Sequence, residues 1–200
     1  MRSKKIEKLV KMALLCAMSV VLMYVVRFPV IPALPFLEYD MADVPILIGA
    51  FLYGPVAGLV LAAVVSALQA LTVSASSGWI GGLMHFFATG AFALLAGVIY
   101  RRRHTLRGAV EGLLAGAVAM ILIMVPFNYY LSPLFLQSPE LPYEAAQGMV
   151  LSVMWSFVAF NAFKAGVNSL ATYLLYKPVS RLFHKEFHLK QDAAQPKPRE

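Results

Sequence analysis

Apolar runs recur along this chain from about Leu9 to Tyr176, and most are long enough to cross a membrane, with only short polar or proline-rich breaks between them. In hydrocarbon every backbone N–H and C=O must be met inside the protein, so such runs are expected to be helices packed side by side. The balance of residues agrees: 60% are hydrophobic and 14% charged, too few polar side chains to clothe a water-soluble domain. The fold class expected is an all-α integral membrane protein. The opening MRSKKIEKLVK has the basic start of a signal peptide, but no small-residue cleavage site and soluble domain follow, which predicts an uncleaved first span. Cys16 is the sole cysteine, which excludes intramolecular disulfides and cysteine-based metal sites.

Spans are predicted at 9–27, 44–53, 56–73, 80–100, 107–126 and 147–176. The second is short for a crossing, and Gly54-Pro55 marks its break from the third, because proline lacks a backbone donor and restricts the residue before it. Charge decides whether it counts. With six spans, both termini share a side with the loop RRRHTLR (101–107), and that side holds every basic residue except Arg27 and the intramembrane Lys164. With five spans the distribution inverts, against the excess of Lys and Arg on cytoplasmic loops. The expectation is therefore a single six-helix domain over 1–183 with both termini cytoplasmic, and a polar, disordered cytoplasmic tail over 184–200. The proline-rich loop near 28–43, the turn SASSGW (74–79) and the loop 127–146 then lie outside, together with Glu38, Asp40, Asp43, Glu140 and Glu144.

Polar residues within spans are the informative ones, since each requires a partner. Lys164 is the most expensive. In FNAFKAGVNS it shares a helix face with Asn161 and Asn168, three and four residues away. This face suits either a structural ion pair or a ligand; with Glu111, near a cytoplasmic end, the one acid within a predicted span, the partner is expected to be a ligand or an acid reaching in from the outer loops. PFNYYLSPLF (126–135) places Asn128 and two tyrosines where the fifth span leaves the membrane, as an aromatic belt or as the rim of a polar patch. Gly108, Gly112 and Gly116, like Gly54 and Gly58, repeat every fourth residue, which close helix packing explains. Ala13 and Ala17 have the same spacing on the first span, for internal packing or for another membrane subunit. His85 reads as a packed histidine and His104 as a loop residue. No phosphate loop, H-E-x-x-H or G-x-S-x-G occurs, so ATP would have to be used by another chain.

The proline-rich loop ending LEYDMADVP, PFNYYLSPLF, FNAFKAG and Ala13-x-x-x-Ala17 together resemble the riboflavin-specific substrate-binding subunit, or S component, of energy-coupling-factor (ECF) vitamin transporters, over about residues 8–176. The resemblance implies a multi-pass protein of the prokaryotic plasma membrane that binds riboflavin in an extracytoplasmic pocket under the first loop, with no chemical conversion and no cofactor. It implies flavin contacts from Leu37, Glu38, Tyr39 and Asp40 of the loop and from Asn128, Asn161 and Lys164, and leaves FMN or a flavin analogue open as ligand. It also implies partners: a transmembrane coupling subunit facing Ala13 and Ala17, and two cytoplasmic ATPases. The rival readings are an S component for thiamine, biotin or a related vitamin, a membrane enzyme using Glu38, Asp40 and Asp43 as an outer acid cluster, and a membrane scaffold.

Overall fold

The structure, a computed structural model, describes residues 2–73 and 77–194, with the side chains of 2, 3, 180 and 182–194 left outside the description. Among the described residues seven helices and two short strands follow in order: α1 (Arg2–Val25), β1 (Arg27–Pro29), β2 (Glu38–Asp40), α2 (Asp43–Tyr53), α3 (Pro55–Thr72), α4 (Gly78–Arg103), α5 (Leu106–Leu136), α6 (Tyr143–Ser152) and α7 (Met154–Ala194). Helices α1, α3, α4 and α5 are each long and apolar enough to cross a bilayer, and α6 with the Met154–Val179 part of α7 is apolar enough as a pair bent by 63°, the geometry of a broken span or a re-entrant loop. Leu71, Leu114, Leu122, Trp155 and Leu170 point outward and are exposed, as side chains do when the solvent is lipid.

α2 is the centre of the core. At 11 residues it spans about 16 Å, roughly half a hydrocarbon layer. Yet Asp43 through Phe51 are all buried, because α1, α3, α4 and α7 pack around it. Gly54 takes φ 96°, a left-handed conformation that glycine adopts without penalty, and Pro55 starts α3 where its missing N–H costs nothing. The break between α2 and α3 therefore falls where the sequence places it. The glycine repeat also has its packing reason. A methyl on Gly112 would come 2.8 Å from the Ala96 carbonyl and one on Gly116 2.5 Å from the Phe92 ring, so α5 lies backbone-close against α4.

Two boundaries differ from expectation. PFNYYLSPLF is helical, not loop, because α5 continues through Pro126 and Pro133 to Leu136. Proline at 133 has no N–H for the Tyr129 carbonyl, and Gln147 of α6 reaches that oxygen with its Nε2 at 3.5 Å; Tyr143 donates to the next carbonyl, Tyr130, at 3.2 Å. A neighbouring helix thus re-satisfies what proline frees, which keeps a proline-bearing helix intact in a membrane. The expected span 147–176 is two helices broken at Val153. α7 is assigned as far as Ala194, so 184–194 of the expected tail is helical here; residues 195–200 of the tail and 74–76 of the SASSGW turn lie outside the described residues.

Candidate ligand-binding site

The loop after α1 is an ordered strap. β1 pairs antiparallel with β2, setting Arg27 opposite Asp40, Phe28 opposite Tyr39 and Pro29 opposite Glu38. A two-stranded ribbon consists only of edges, so Pro29 disrupts no interior ladder. Alternation along β2 then sorts the side chains. Glu38 and Asp40 line the cavity beneath the strap together with Leu37, whereas Tyr39 is absent from its lining. The Tyr39 ring instead packs on Phe28 at 5.3 Å and Phe163 at 5.6 Å, and its hydroxyl donates to Asn168 Oδ1 at 2.9 Å. Burial pushes this phenol up to about 12, with Lys164 opposing the rise and Asp40 and Asp43 adding to it, so Tyr39 remains a donor at neutral pH.

Lys164 finds its counterion on the strap. Its Nζ lies 2.8 Å from Asp40 Oδ2, with both side chains buried, while Asp40 Oδ1 accepts the Ala42 N–H and turns the chain into α2. One helical turn further along α7, Asn168 donates to Asp43 Oδ2 at 2.9 Å. Asp43 Oδ1 accepts from Thr89 at 2.7 Å and stands 3.2 Å from His85 Nε2, and His85 Nδ1 is 2.7 Å from Ser66 Oγ. His85 Nε2 also stands 3.3 Å from Thr89 Oγ1, so the imidazole bridges the Ser66 hydroxyl on one side to Asp43 and Thr89 on the other. One buried polar network therefore ties the strap to α2, α3, α4 and α7.

Above this network lies a cleft of about 890 Å³, counting its open mouth. Met23, Met84, Met120, Met124 and Ala88 supply apolar walls, and Phe36, Phe135 and Phe160 add aromatic surface. Asn128, Asn161 and Lys164 enter from α5 and α7, each nearly fully buried. Both amides are held by their own helices: Asn128 Nδ2 donates to the Met124 carbonyl at 2.7 Å and Asn161 Nδ2 to the Phe157 carbonyl at 2.8 Å, and Ser132 donates to Asn128 Oδ1. Arg27 lies at the rim, where its Nε donates to Glu38 Oε2 at 2.8 Å and Nη2 makes a second contact to the same oxygen. Such a cavity matches a flat molecule with a hydrogen-bonding edge, because thioethers are polarisable and pack well on aromatic rings.

Of the residues the sequence singled out, Leu37, Glu38, Asp40, Asn128, Asn161 and Lys164 converge on the cleft, and Tyr39 stands behind it. Ala13 and Ala17 are exposed on α1, far from being internal packing residues. Asp43, expected at the outer surface, is fully buried, and the expected acid cluster is dispersed among separate partners: Glu38 with Arg27, Asp40 with Lys164, Asp43 with Asn168, Thr89 and His85. Sequence reasoning missed Thr89, Gln69 and the four methionines, and treated His85 as mere packing. A polar residue inside an apolar run was the available signal for Gln69 and Thr89.

Residues 7–176 match the family model described as ECF transporter, substrate-specific component. The chain is 28% identical over 180 residues to the riboflavin transporter RibU of Staphylococcus aureus, covering 90% of this chain and 93% of that one. It is 30% identical over 174 residues to the riboflavin transporter FmnP of Bacillus subtilis, covering 77% of this chain and 90% of that one. A solved structure described as the S component of a bacterial ECF transporter superposes with a TM-score of 0.70 at 27% identity, covering 89% of this chain and 98% of that one.

Proposed function

Because this chain belongs to the substrate-specific components of ECF transporters, we propose that it captures riboflavin at the extracytoplasmic face of the prokaryotic plasma membrane for ATP-driven uptake, leaving the vitamin chemically unchanged. The observation that carries the reading is the cleft itself, where methionine walls meet a polar edge built from Asn128, Asn161 and Lys164. An isoalloxazine ring has that same division, a broad π-face and one edge of alternating carbonyl and N–H groups. Leu37, Glu38 and Asp40 close over it from the strap, whose three prolines at 29, 32 and 35 restrict the free loop and so lower the cost of ordering it. Tyr39 supports the lid from behind through Asn168.

Counting α2 as a crossing and α6 with α7 as another gives six, with both termini cytoplasmic and the strap outside. The short α2 is tolerable in this role because protein, not lipid, surrounds it. The exposed Ala13 and Ala17 face, flanked by Leu9, Val10, Leu14 and Met18, suits close approach by a transmembrane coupling subunit, with two ATPases beneath it in the cytoplasm. The riboflavin reading is tested by purifying the protein and recording its absorption and fluorescence. Copurified or added riboflavin bound at stoichiometric level supports it; another bound vitamin, or no flavin binding, overturns it.

A further inference from the structure

The turn between α4 and α5 carries a group of basic side chains at one end of the bundle. Arg101, Arg102 and Arg103 close the last turn of α4 and Arg107 stands in the first turn of α5, all of them exposed. α7 brings two more to this end. The Tyr100 and Tyr176 hydroxyls meet at 2.6 Å, so Arg101 and Lys177 each follow directly from that contact, and Arg181 lies one turn beyond Lys177 on the same face; both α7 residues are exposed. The described carboxylates nearby are already engaged, Glu111 by Arg103 at 2.6 Å and Glu7 by Lys11 at 2.6 Å. Among the described residues Arg101, Arg102, Arg107, Lys177 and Arg181 form no ion pair.

The group sits where the lipid-facing surface stops. Leu106, Val110 and Leu114 run along α5 from Arg107, and Leu170 and Leu174 lead along α7 to Lys177, all exposed. Cations at that edge stand at the level of lipid phosphates, and a guanidinium presents paired N–H donors that match two oxygens of a phosphodiester. Position favours lipid over a protein partner. Among the helices α1 packs on α2 and α3, whereas α5 packs on α4 and α7, so a subunit docked on the Ala13 and Ala17 face leaves this flank in the bilayer. We propose that the basic end of α4, α5 and α7 binds the phosphodiester headgroups of anionic membrane lipids. Each cation adds to the attraction toward an anionic leaflet, and salt screens it. The site is independent of which vitamin the cleft takes.

The test offers the purified full-length protein mixed micelles of dioleoyl phosphatidylglycerol and dioleoyl phosphatidylcholine in equal amounts and counts retained lipids by native mass spectrometry. The wild type should keep phosphatidylglycerol over phosphatidylcholine by about tenfold, a preference that falls as salt rises. The triple variant Arg101→Gln, Arg102→Gln, Arg107→Gln should lose most of that preference, and the pair Lys177→Gln, Arg181→Gln part of it. Lys4→Gln, Lys5→Gln and Lys8→Gln together remove as much charge from α1 as the triple variant does from α4 and α5, and should leave the preference in place. Melting temperatures should hold throughout, since every substituted side chain is exposed. Equal retention of the two lipids by the wild type, an unchanged preference in both the triple and the α7 variants, or an equal loss in the α1 variant each overturn the site. Inorganic phosphate that displaces phosphatidylglycerol better than chloride at equal ionic strength would assign the patch to a soluble phosphate. A triple variant that keeps its lipid preference but no longer assembles with the coupling subunit would assign it to a protein. Either result overturns the lipid reading.

Discussion

Lys164 Nζ and Asp40 Oδ2 meet at 2.8 Å although 124 residues separate them, one on the last helix and the other on the strap. The contact fastens the lid to the bundle with a buried ion pair, beside the groups proposed to hold the vitamin. A buried charge left without its counterion is costly, whereas removing both members of a pair is often tolerated. Lys164→Met should therefore lower ligand-free stability by about 3 to 5 kcal/mol by stranding the Asp40 carboxylate. The double variant Lys164→Met with Asp40→Asn should regain much of that stability yet still bind riboflavin weakly. Melting curves alongside flavin titrations separate the two effects, and normal affinity in the double variant would exclude Lys164 and Asp40 from the binding edge.

Asn161 makes a different demand. Among the described residues its side chain hydrogen-bonds only within its own helix, to the Phe157 carbonyl, so truncation leaves no distant partner exposed. Asn161→Ala should weaken riboflavin binding by at least about tenfold, the scale of one good buried polar contact, with little change in ligand-free melting. A large drop in melting temperature with retained affinity would point to a structural role instead.

At the rim, Arg27 and Glu38 are both partly exposed, which limits what their ion pair contributes to the fold to about 1 kcal/mol or less. Its expected effect is kinetic, because the pair joins the two strands of the strap at the mouth of the cleft. Glu38→Gln should leave the melting temperature nearly unchanged and speed riboflavin release, with the wild-type release rate rising with salt and the variant's rate responding less. Stopped-flow displacement of bound flavin measures this directly. Identical release rates and salt responses would show that the pair does not latch the strap.

On the opposite end of the molecule's work, Ala13→Leu with Ala17→Leu should disrupt assembly with the ECF coupling subunit while riboflavin binding by the isolated protein stays at its wild-type level. Both positions are exposed on α1 and belong to no buried cluster, so the added volume meets no internal neighbour. Copurification with the partner subunits and flavin titration supply the two readouts. Loss of both activities would indicate damage to the fold, and loss of neither would remove the docking surface.

By itself the sequence determined the membrane solvent, the all-helical class, the break at Gly54-Pro55 and the face shared by Asn161, Lys164 and Asn168. Each of these follows from local rules: run length against bilayer thickness, the backbone limits of glycine and proline, and the helical repeat. The glycine spacing on α5 was legible for the same reason, since a four-residue period places small residues on one contact line. What crosses between elements was decided only by tertiary structure. Proline at 133 reads locally as a helix end, but α6 supplies donors to the Tyr129 and Tyr130 carbonyls and α5 continues. Asp43 reads as an outer-loop acid, but it begins a helix that the bundle encloses, and Asn168, Thr89 and His85 make its burial tolerable. Tyr39 sits within LEYDMADVP beside residues that reach the cleft; the two-residue alternation of a strand, which becomes meaningful only once β1 pairs with β2, turns it away. The pairing of Lys164 with Asp40 is of the same kind, because a charge in an apolar run announces that it needs a partner and only the folded chain selects which one.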